Sequence, residues 1–586
     1  MEQARNETHF SSMNTEKGMS WFEPANSRGN LRLLRLCSWI VTGVAGFLQV
    51  WASRFTLTSD GNSYLDIATA YLHRDWSNAV NAYWSPLFSW LLAICIAILH
   101  PSPYWESTAL HLLNFLALLI SLLAFEFFFK SFLQVGKRFG WSDGDSQGLP
   151  EVGWWALGYG LFVSTSLFVL TPSINTPDVW VAVVTYLAVG FLLRIYVNGG
   201  GWLLFAALGF VLGCAYLTKT IYFPASFVFL LTAWLAAGNR TKTLYQATFG
   251  LLVFLLLAGP WVAALSRAKN RFTFGDVGKL ALVIRVAQLQ DTFAWQGEND
   301  TGVPVHPVRQ LLAKPDLFEF GTPVAGTYPP AYDLTYWMEG AKLPFSLKGV
   351  LLILRQSAGT MFQFLADQAE YATGLLLLFF LVRGQSGLLA TVRKWWFLWV
   401  PPLVVCLSYT VVLVEGRYVA PFILLLWITA FSSLMSLPLR VQRPVAIALL
   451  FAMLSVTGLR VAKFAVSDSL ASLAHSQNAD FEVAQALHSL GIQPGDKVAG
   501  LSRVAEAHWA RLAGVKIVAE IPLGNELLFW TAPPDLQRKV LETVAATGAK
   551  AIVTSGSASS AINAGWTPLG GTSYYALLLP PQPKPR

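Results

Sequence analysis

The sequence predicts an α-helical polytopic membrane protein, with about eleven transmembrane helices and a small C-terminal α/β domain. Three observations predict it. Hydrophobic residues make up 54% of the chain, charged residues only 13%, and mean hydropathy is +0.49, whereas a soluble domain carries roughly 25% charge. Long stretches, such as 251–258 and 375–382, hold no charge. Hydrocarbon cannot hydrogen-bond a bare backbone, so such runs must be helical. Beyond about residue 464 the pattern changes to short β-rich runs separated by helical ones, the signature of an α/β unit.

The first 33 residues are polar, contain Arg28 and Arg32, and are read as a cytoplasmic tail. No short apolar core followed by a small-residue cleavage site precedes the first long apolar run, 34–52, so that run reads as a retained anchor. A span needs about 20 apolar residues. The runs that meet this are 34–53, 106–129, 152–171, 178–195, 201–217, 222–238, 244–264, 367–383, 395–413, 418–437 and 443–462. The segment 86–99 is equally apolar but only 14 residues long, which suits an interfacial or re-entrant helix. Charge agrees. If 86–99 does not cross, Lys130, Lys137, Arg138, Arg194, Arg240, Lys242, Arg383, Arg393, Lys394, Arg440 and Arg443 all fall inside, as the positive-inside rule requires. Eleven crossings from an inside N-terminus leave the C-terminus outside. Lys219 and Arg417 are exceptions in short outer loops, and Arg460 and Lys463 fall near the outer face before a long domain.

Three regions then face outward: 54–105, 266–366 and the tail 464–586. The second exceeds the usual length of a structureless loop. It is predicted to carry helices of its own, including a surface helix over 345–364. In the tail, Lys497–Leu501, Lys516–Ile521 and 551–554 read as strands, and 481–490 and 536–547 as helices. The tail has neither a GxGxxG nor a P-loop, so no nucleotide site is predicted there.

The net charge of +8 does not point to nucleic acid, because the basic residues lie mostly in short loops between apolar runs. The four cysteines (Cys37, Cys95, Cys214, Cys406) lie in apolar segments without metal-ligand spacing, and the eight histidines are scattered.

Five places could carry chemistry. Asp60 lies just after the first span, ahead of an amphipathic helix over 63–73 expected to lie on the membrane with Asp66 and His73 on its polar face. Asp60 reads either as an N-cap or as a base for an acceptor hydroxyl at the lipid–water boundary. Asp178, after Thr176-Pro177, reads as a helix cap or as a second carboxylate that shares acid–base work or a divalent metal. Lys219 reads as a snorkelling lysine or a phosphate clamp. Arg417-Tyr418 follows Glu415; a surface Glu415–Arg417 contact and bidentate phosphate recognition are the alternatives. His111 and Asn114 share one face of the second span and read as interhelical hydrogen-bonding groups.

The order of these motifs resembles the GT-C superfamily of glycosyltransferases, in particular the aminoarabinose transferases of lipid A and the protein O-mannosyltransferases. The matching residues are Asp60-Gly-Asn-Ser-Tyr-Leu-Asp66, then Tyr83-Trp-Ser-Pro86-Leu87, Asp178 in the second outer loop, the run 213–219 ending Leu-Thr-Lys, and Arg417-Tyr418 followed by Pro421. The resemblance covers roughly residues 30–440. Gly61 stands where many such transferases have a second acid. Trp84 and Ser85 stand where some have a basic residue. The metal-binding Asp-x-Asp of the related oligosaccharyltransferases has no counterpart in the first outer loop.

The resemblance implies an integral, multi-pass enzyme of a bacterial inner or plasma membrane. It implies inverting transfer of a sugar from a polyprenyl-phosphate donor to an extracytoplasmic acceptor, whether glycolipid, glycan or protein. Asp60 would be the base and Asp178 would assist it or orient the acceptor. Lys219, Arg417 and Tyr418 would bind the donor phosphate, with Asp66, Tyr83 and Glu415 in support. No cofactor is implied; a divalent metal is the less favoured alternative. The competing readings are a transporter or flippase of lipid-linked saccharides, and a scaffold without catalysis. Clustering of the charges at one face, rather than on paired halves at the midplane, favours the enzyme.

Overall fold

The computed structural model describes residues 27–141, 149–290, 292–320, 325–382, 387–436, 439–474, 477–502, 504–555 and 558–580. The predicted cytoplasmic tail therefore lies outside the described residues except for its last few. The eleven predicted spans each coincide with a helix. Among the described residues seven helices are long and apolar enough to cross a membrane, and the predicted spans over 201–217, 222–238 and 395–413 are shorter apolar helices, Trp202–Thr218, Tyr222–Ala236 and Trp396–Val412; the predicted span over 367–383 is the helix Ala369–Val382, whose 14 described residues are no more than those of Pro86–Leu99.

The helices pack through large aromatic side chains and close backbone contacts. Phe125, Phe128, Phe129, Phe132, Phe162 and Tyr186 are wholly buried and stack on one another between the second, third and fourth spans. Helices Trp202–Thr218 and Arg240–Ala268 touch at Gly209, where a Cβ would come within 2.0 Å of the Gly250 carbonyl oxygen. Such small residues let helices approach where no hydrophobic effect drives them together. One carboxylate, Glu126, lies inside this bundle, and its side chain is 4% exposed. Arg35 grips it with two hydrogen bonds (2.9 and 2.7 Å), and Trp39 Nε1 and Tyr159 OH each donate another at 2.9 Å. The charge is thereby compensated, as membrane depth demands, and it ties the first three spans together.

Pro86–Leu99 is a helix of 14 residues, about 21 Å at 1.5 Å per residue, against a hydrocarbon core of about 30 Å. It packs against the helix Ser59–Leu72, which starts four residues earlier than predicted. That helix is more enclosed than a surface helix would be: Gly61 to Leu65, Ile67 and Ala68 are buried. Its apolar face meets Phe88 and Leu92, while Asp66 on the polar face is taken up by the outer regions.

The region 266–366 holds the helices Val277–Ala287 and Leu347–Asp367, two short turns of helix at Pro329–Tyr332 and Leu334–Trp337, and a hairpin of β1 (Arg309–Ala313) and β2 (Asp316–Glu319). The tail contributes β3 (Lys497–Leu501), β4 (Lys516–Ile521), β5 (Ala551–Ser555), β6 (Thr567–Pro568) and β7 (Tyr574–Leu578). All seven form one sheet in the order β1-β2-β4-β3-β5-β7-β6, with β3 parallel to β4 and β5 and the other pairs antiparallel. The sheet is thus shared between the second outer region and the tail. Its pivot is the pairing of Phe318 and Glu319 with Glu520 and Ala519. The helix of the last span runs on to Ala474, so the tail's own fold begins later than residue 464.

This arrangement yields a topology test. In a cysteine-free background, Arg74→Cys, Ser102→Cys and Glu542→Cys are expected to react with a membrane-impermeant maleimide on intact cells. Lys242→Cys is expected to react only after permeabilisation. All four positions are exposed. Opposite labelling of Arg74→Cys and Ser102→Cys would mean that 86–99 crosses.

Candidate active site

The loop between the third and fourth predicted spans is short and strongly constrained. The third span ends in a turn of π-helix, Ser166–Leu170, and the chain reverses at Thr171, which has a positive φ of 38°. Residues 171–177 are then fastened to the end of the first span. Asn175 Oδ1 accepts from the Thr58 amide (3.2 Å), and Asn175 Nδ2 lies 2.9 Å from His111 Nε2, which is itself 2.9 Å from the Thr56 carbonyl oxygen. Asn114 Nδ2 donates to the Ile174 carbonyl at 2.7 Å. His111 and Asn114 therefore bond to loop residues rather than to another helix, and hold the loops 54–58 and 171–177 in contact.

Gly61 lies at this contact. A Cβ there would be 2.6 Å from Asn175 Cβ and 2.9 Å from Leu57 Cδ1. No second acid fits at that position, because the neighbouring loop occupies its space. The helix that carries Asp60 is capped by Thr58, whose hydroxyl accepts from the Gly61 amide at 3.2 Å. Asp60 is not the cap, and its side chain is free for other contacts. Asp178 is not a side-chain cap either: Pro177 holds the N-cap position and makes no side-chain bond.

Asp178 instead meets two cations, Lys219 and Arg417, and Asp60 meets the second of them. Lys219, which ends the helix Trp202–Thr218, sets its Nζ 2.5 Å from Asp178 Oδ1. Arg417, at the start of the helix Gly416–Phe431, sits among three carboxylates. Its Nε is 2.7 Å from Glu415 Oε2, its Nη1 is 3.6 Å from Asp178 Oδ2, and its Nη2 is 3.7 Å from Asp60 Oδ2. A cation at a helix N-terminus opposes the helix dipole; the three carboxylates offset that. Thr176 Oγ1 donates to Asp178 Oδ2 (2.8 Å) and accepts from Arg417 Nη1 (3.2 Å). Tyr418 lies beneath the cations, its ring centroid 3.4 Å from Lys219 Nζ and 5.1 Å from Arg417 Cζ.

Burial separates the two acids. The Asp178 side chain is 3% exposed, that of Asp60 33%. Asp178 is a buried counter-ion to both cations, whereas Asp60 and Glu415, at 33% and 39% exposed, are open to an incoming group. Dense packing around Asp60 pushes its carboxyl above its ordinary value. Arg417 pulls it back, and the negative charges of Asp178 and Glu415 push it further up. Tyr83, partly buried between this cluster and the 266–366 region, has its hydroxyl pushed up to about 12 by burial and by Asp60 and Glu415. Three residues beyond Asp60, Ser63 Oγ donates to the Ala331 carbonyl at 3.0 Å, so the outer region lies directly over this helix.

Of the residues singled out in the sequence, Asp60, Asp178, Lys219, Glu415, Arg417 and Tyr418 share one cluster. Asp66 is elsewhere, bound by the Thr327 amide (2.7 Å) and by Arg511 of the tail (2.5 Å). Sequence reasoning missed Thr176, although it directly precedes Pro177-Asp178, and missed Asn175, whose partners are distant in sequence. Beside the cluster opens a cavity of about 660 Å³ that Glu415 and Arg417 line, together with Thr58, Phe168, Phe364 and Arg460. Among the described residues no group of three or more His, Cys, Asp or Glu could hold a metal ion.

No family model and no curated protein matches the chain. Among solved structures it is similar to ArnT from Cupriavidus metallidurans in the apo state, at 14% identity over 94% of this chain and 100% of that one, with a TM-score of 0.49. It is also similar to the Archaeoglobus fulgidus oligosaccharyltransferase in complex with Zn and sulfate, at 14% identity over 88% of this chain and 68% of that one, TM-score 0.46. The same oligosaccharyltransferase, tethered to an acceptor peptide containing the NVT sequon, aligns at 13% identity over 88% and 69%, again at 0.46. ArnT is an aminoarabinose transferase, and both proteins are glycosyltransferases of the GT-C fold.

Proposed function

We propose that this chain is a membrane glycosyltransferase that moves a sugar from a polyprenyl-phosphate donor to the hydroxyl of an extracytoplasmic acceptor. The observation that carries the reading is the cluster itself. An accessible carboxylate, Asp60, stands beside Arg417, and Arg417 and Lys219 are both held by a buried carboxylate, Asp178, where several apolar helices end.

The chemistry follows from those positions. The acceptor oxygen bonds to the anomeric carbon from the side opposite the phosphate, and its proton passes to Asp60. The bond from the anomeric carbon to the phosphate oxygen breaks, and its electron pair leaves on the polyprenyl phosphate. The configuration inverts. Negative charge grows on the leaving phosphate, where Lys219 and Arg417 stabilise it; fixed charges in a water-poor site cost no reorganisation during the step. Asp178 and Thr176 hold the two cations at their stations, and the Tyr418 ring supports both. A carboxyl raised above its ordinary value is a stronger base, which suits Asp60 to its part.

The test is transfer of radiolabelled sugar by the purified protein. Transfer from a polyprenyl-phosphate donor to a hydroxyl acceptor is the expected result. Lys219→Ala is expected to raise the donor KM about tenfold or more. Arg417→Ala is expected to raise it and also to lower kcat by about 10²–10³, as for loss of one stabilising donor at a developing oxyanion. If no lipid-linked sugar supports transfer, or if both variants match the parent, the reading fails.

A further inference from the structure

Tyr64 belongs to the same cluster, and the reaction above leaves it unused. It stands one helical turn after Asp60 in the helix Ser59–Leu72, so the two residues share a face. Tyr64 is only 4% exposed. Its ring is wedged between Trp84 and Phe88, at centroid distances of 4.9 and 5.0 Å, and Trp84 Nε1 is tied to the Ala331 carbonyl at 3.2 Å. Ser89 Oγ donates to the Tyr64 carbonyl at 3.2 Å. Ring and backbone are thus fixed. A buried tyrosine usually finds a partner for its hydroxyl, as Tyr159 does in Glu126 and Tyr371 in the Gly160 carbonyl. The Tyr64 hydroxyl makes no hydrogen bond among the described residues, and packing does not seal it off.

The neighbours of that hydroxyl say what it faces. Its charged neighbours are Asp60 and Asp178, followed by the phenols of Tyr418 and Tyr83. Asp178 is the counter-ion of both cations, and Tyr418 is the ring beneath them. The hydroxyl therefore lies along the gap between the base and the cation pair. Tyr83, by contrast, has Asp60 and Glu415 as its charged neighbours and not Asp178. Burial, and then Asp60 and Asp178, push the Tyr64 hydroxyl well above its ordinary value, so it stays protonated and able to donate.

In the proposed reaction, the group that fills this gap is the ring of the transferred sugar. We propose that Tyr64 is a specificity-determining residue whose hydroxyl hydrogen-bonds a ring hydroxyl of that sugar while it is still attached to the donor phosphate. The inference rests on the glycosyltransferase reading and names the part of the donor recognised beside Asp60. A group placed to bond a substrate hydroxyl also rejects the analogue that lacks it, because the donor is then left unpaired.

Tyr64→Phe, paired with deoxy sugars, tests this. Phe keeps the ring between Trp84 and Phe88 and removes no hydrogen bond of the protein, so its melting curve should superimpose on the parent's. The probes are a polyprenyl-phosphate hexose, a polyprenyl-phosphate pentose, the monodeoxy series of each, and bare polyprenyl phosphate, titrated onto purified full-length protein. Tyr64→Phe is expected to weaken binding of a sugar-bearing lipid about three- to tenfold and to leave bare polyprenyl phosphate unchanged. One deoxy analogue should bind parent and variant alike, which identifies the hydroxyl that Tyr64 meets. In transfer, the donor KM should rise by the same factor while the acid limb of the pH profile stays in place. The assignment is overturned if parent and variant bind every sugar-bearing lipid equally, or if bare polyprenyl phosphate weakens as much. It is also overturned if the acid limb moves while affinity holds, which would make Tyr64 a positioning residue for Asp60. Sugar-dependent binding that senses residue 64, without transfer to any hydroxyl acceptor, would refute the glycosyltransferase reading and leave the contact standing. Transfer with no response at residue 64 would do the reverse.

Discussion

Asp60→Asn is expected to lower sugar transfer by about 10²–10⁴ while the fold stands. The helix Ser59–Leu72 is capped by Thr58, so no structural bond is lost at its N-terminus. Asn keeps the volume and polarity of the side chain, and the single ion contact it forgoes is the longer 3.7 Å one to Arg417. It cannot accept the acceptor's proton at neutral pH. The pH dependence should report the same group. Below the pKa of Asp60 the carboxyl is protonated and cannot act as a base, so the parent rate falls as pH drops. Burial raises that pKa against the pull of Arg417, which places the acid limb above the ordinary aspartate value. In Asp60→Asn the residual rate should lack this limb. Melting curves of parent and variant should superimpose within a few degrees. Parent-like transfer by Asp60→Asn would exclude it as the base.

Arg511→Met is expected to destabilise the assembly of tail and first outer loop by about 3–5 kcal/mol, the usual cost of leaving a buried ionic partner uncompensated. The Arg511 side chain is 11% exposed, and it bridges two acids from the membrane part of the chain. Its Nε and Nη2 meet Glu106 at 2.8 and 2.6 Å, its Nη1 meets Asp66 at 2.5 Å, and Nη2 also donates to Thr69 at 2.9 Å. Burial pulls the Arg511 guanidinium down, but Glu106 and Asp66 more than reverse this, so its charge is secure. Removing it leaves two enclosed carboxylates side by side. Arg511→Met combined with Asp66→Asn and Glu106→Gln removes all three charges and should recover most of the stability, because a neutral trio has no unpaired ion. Thermal melting with limited proteolysis of the tail measures both. Since Asp66 is six residues beyond Asp60 on one helix, transfer should fall with Arg511→Met and return with the triple variant. If Arg511→Met melts with the parent, this contact does not secure the domain.

Seven strands in one sheet illustrate what was and was not readable. The three parallel strands β3, β4 and β5 were legible, because short apolar runs such as Ile-Val-Ala-Glu-Ile, rich in Val and Ile, stand between helical ones. The hairpin β1–β2 was not. Arg309–Ala313 and Asp316–Glu319 are short and carry polar residues; they pair with each other, and β2 joins the sheet through Phe318 and Glu319 on the edge of β4. The amphipathic helix after the first span was legible by its period. Its enclosure was not, because its burial comes from Pro86–Leu99 and from residues more than two hundred positions away.

By itself the sequence determined the helical membrane class, the places of the apolar helices, the short 86–99 helix and the small α/β unit. These follow from local hydropathy, length and period, which hydrocarbon and backbone hydrogen bonding enforce residue by residue. It also singled out Asp60, Asp178, Lys219 and Arg417, because charge at the ends of apolar helices stands out wherever it occurs. Only the tertiary structure decided how they divide the work. Asp60 is 33% exposed and Asp178 is enclosed by Lys219, Arg417 and Thr176, while Asn175, His111 and Asn114 hold together the loops that carry the two acids. Only it released Asp60 from capping, filled the space beside Gly61, sent Asp66 to Arg511 and brought Arg460 to the same cavity as Arg417. Each of these depends on distances between residues far apart along the chain, which packing sets and local sequence does not encode.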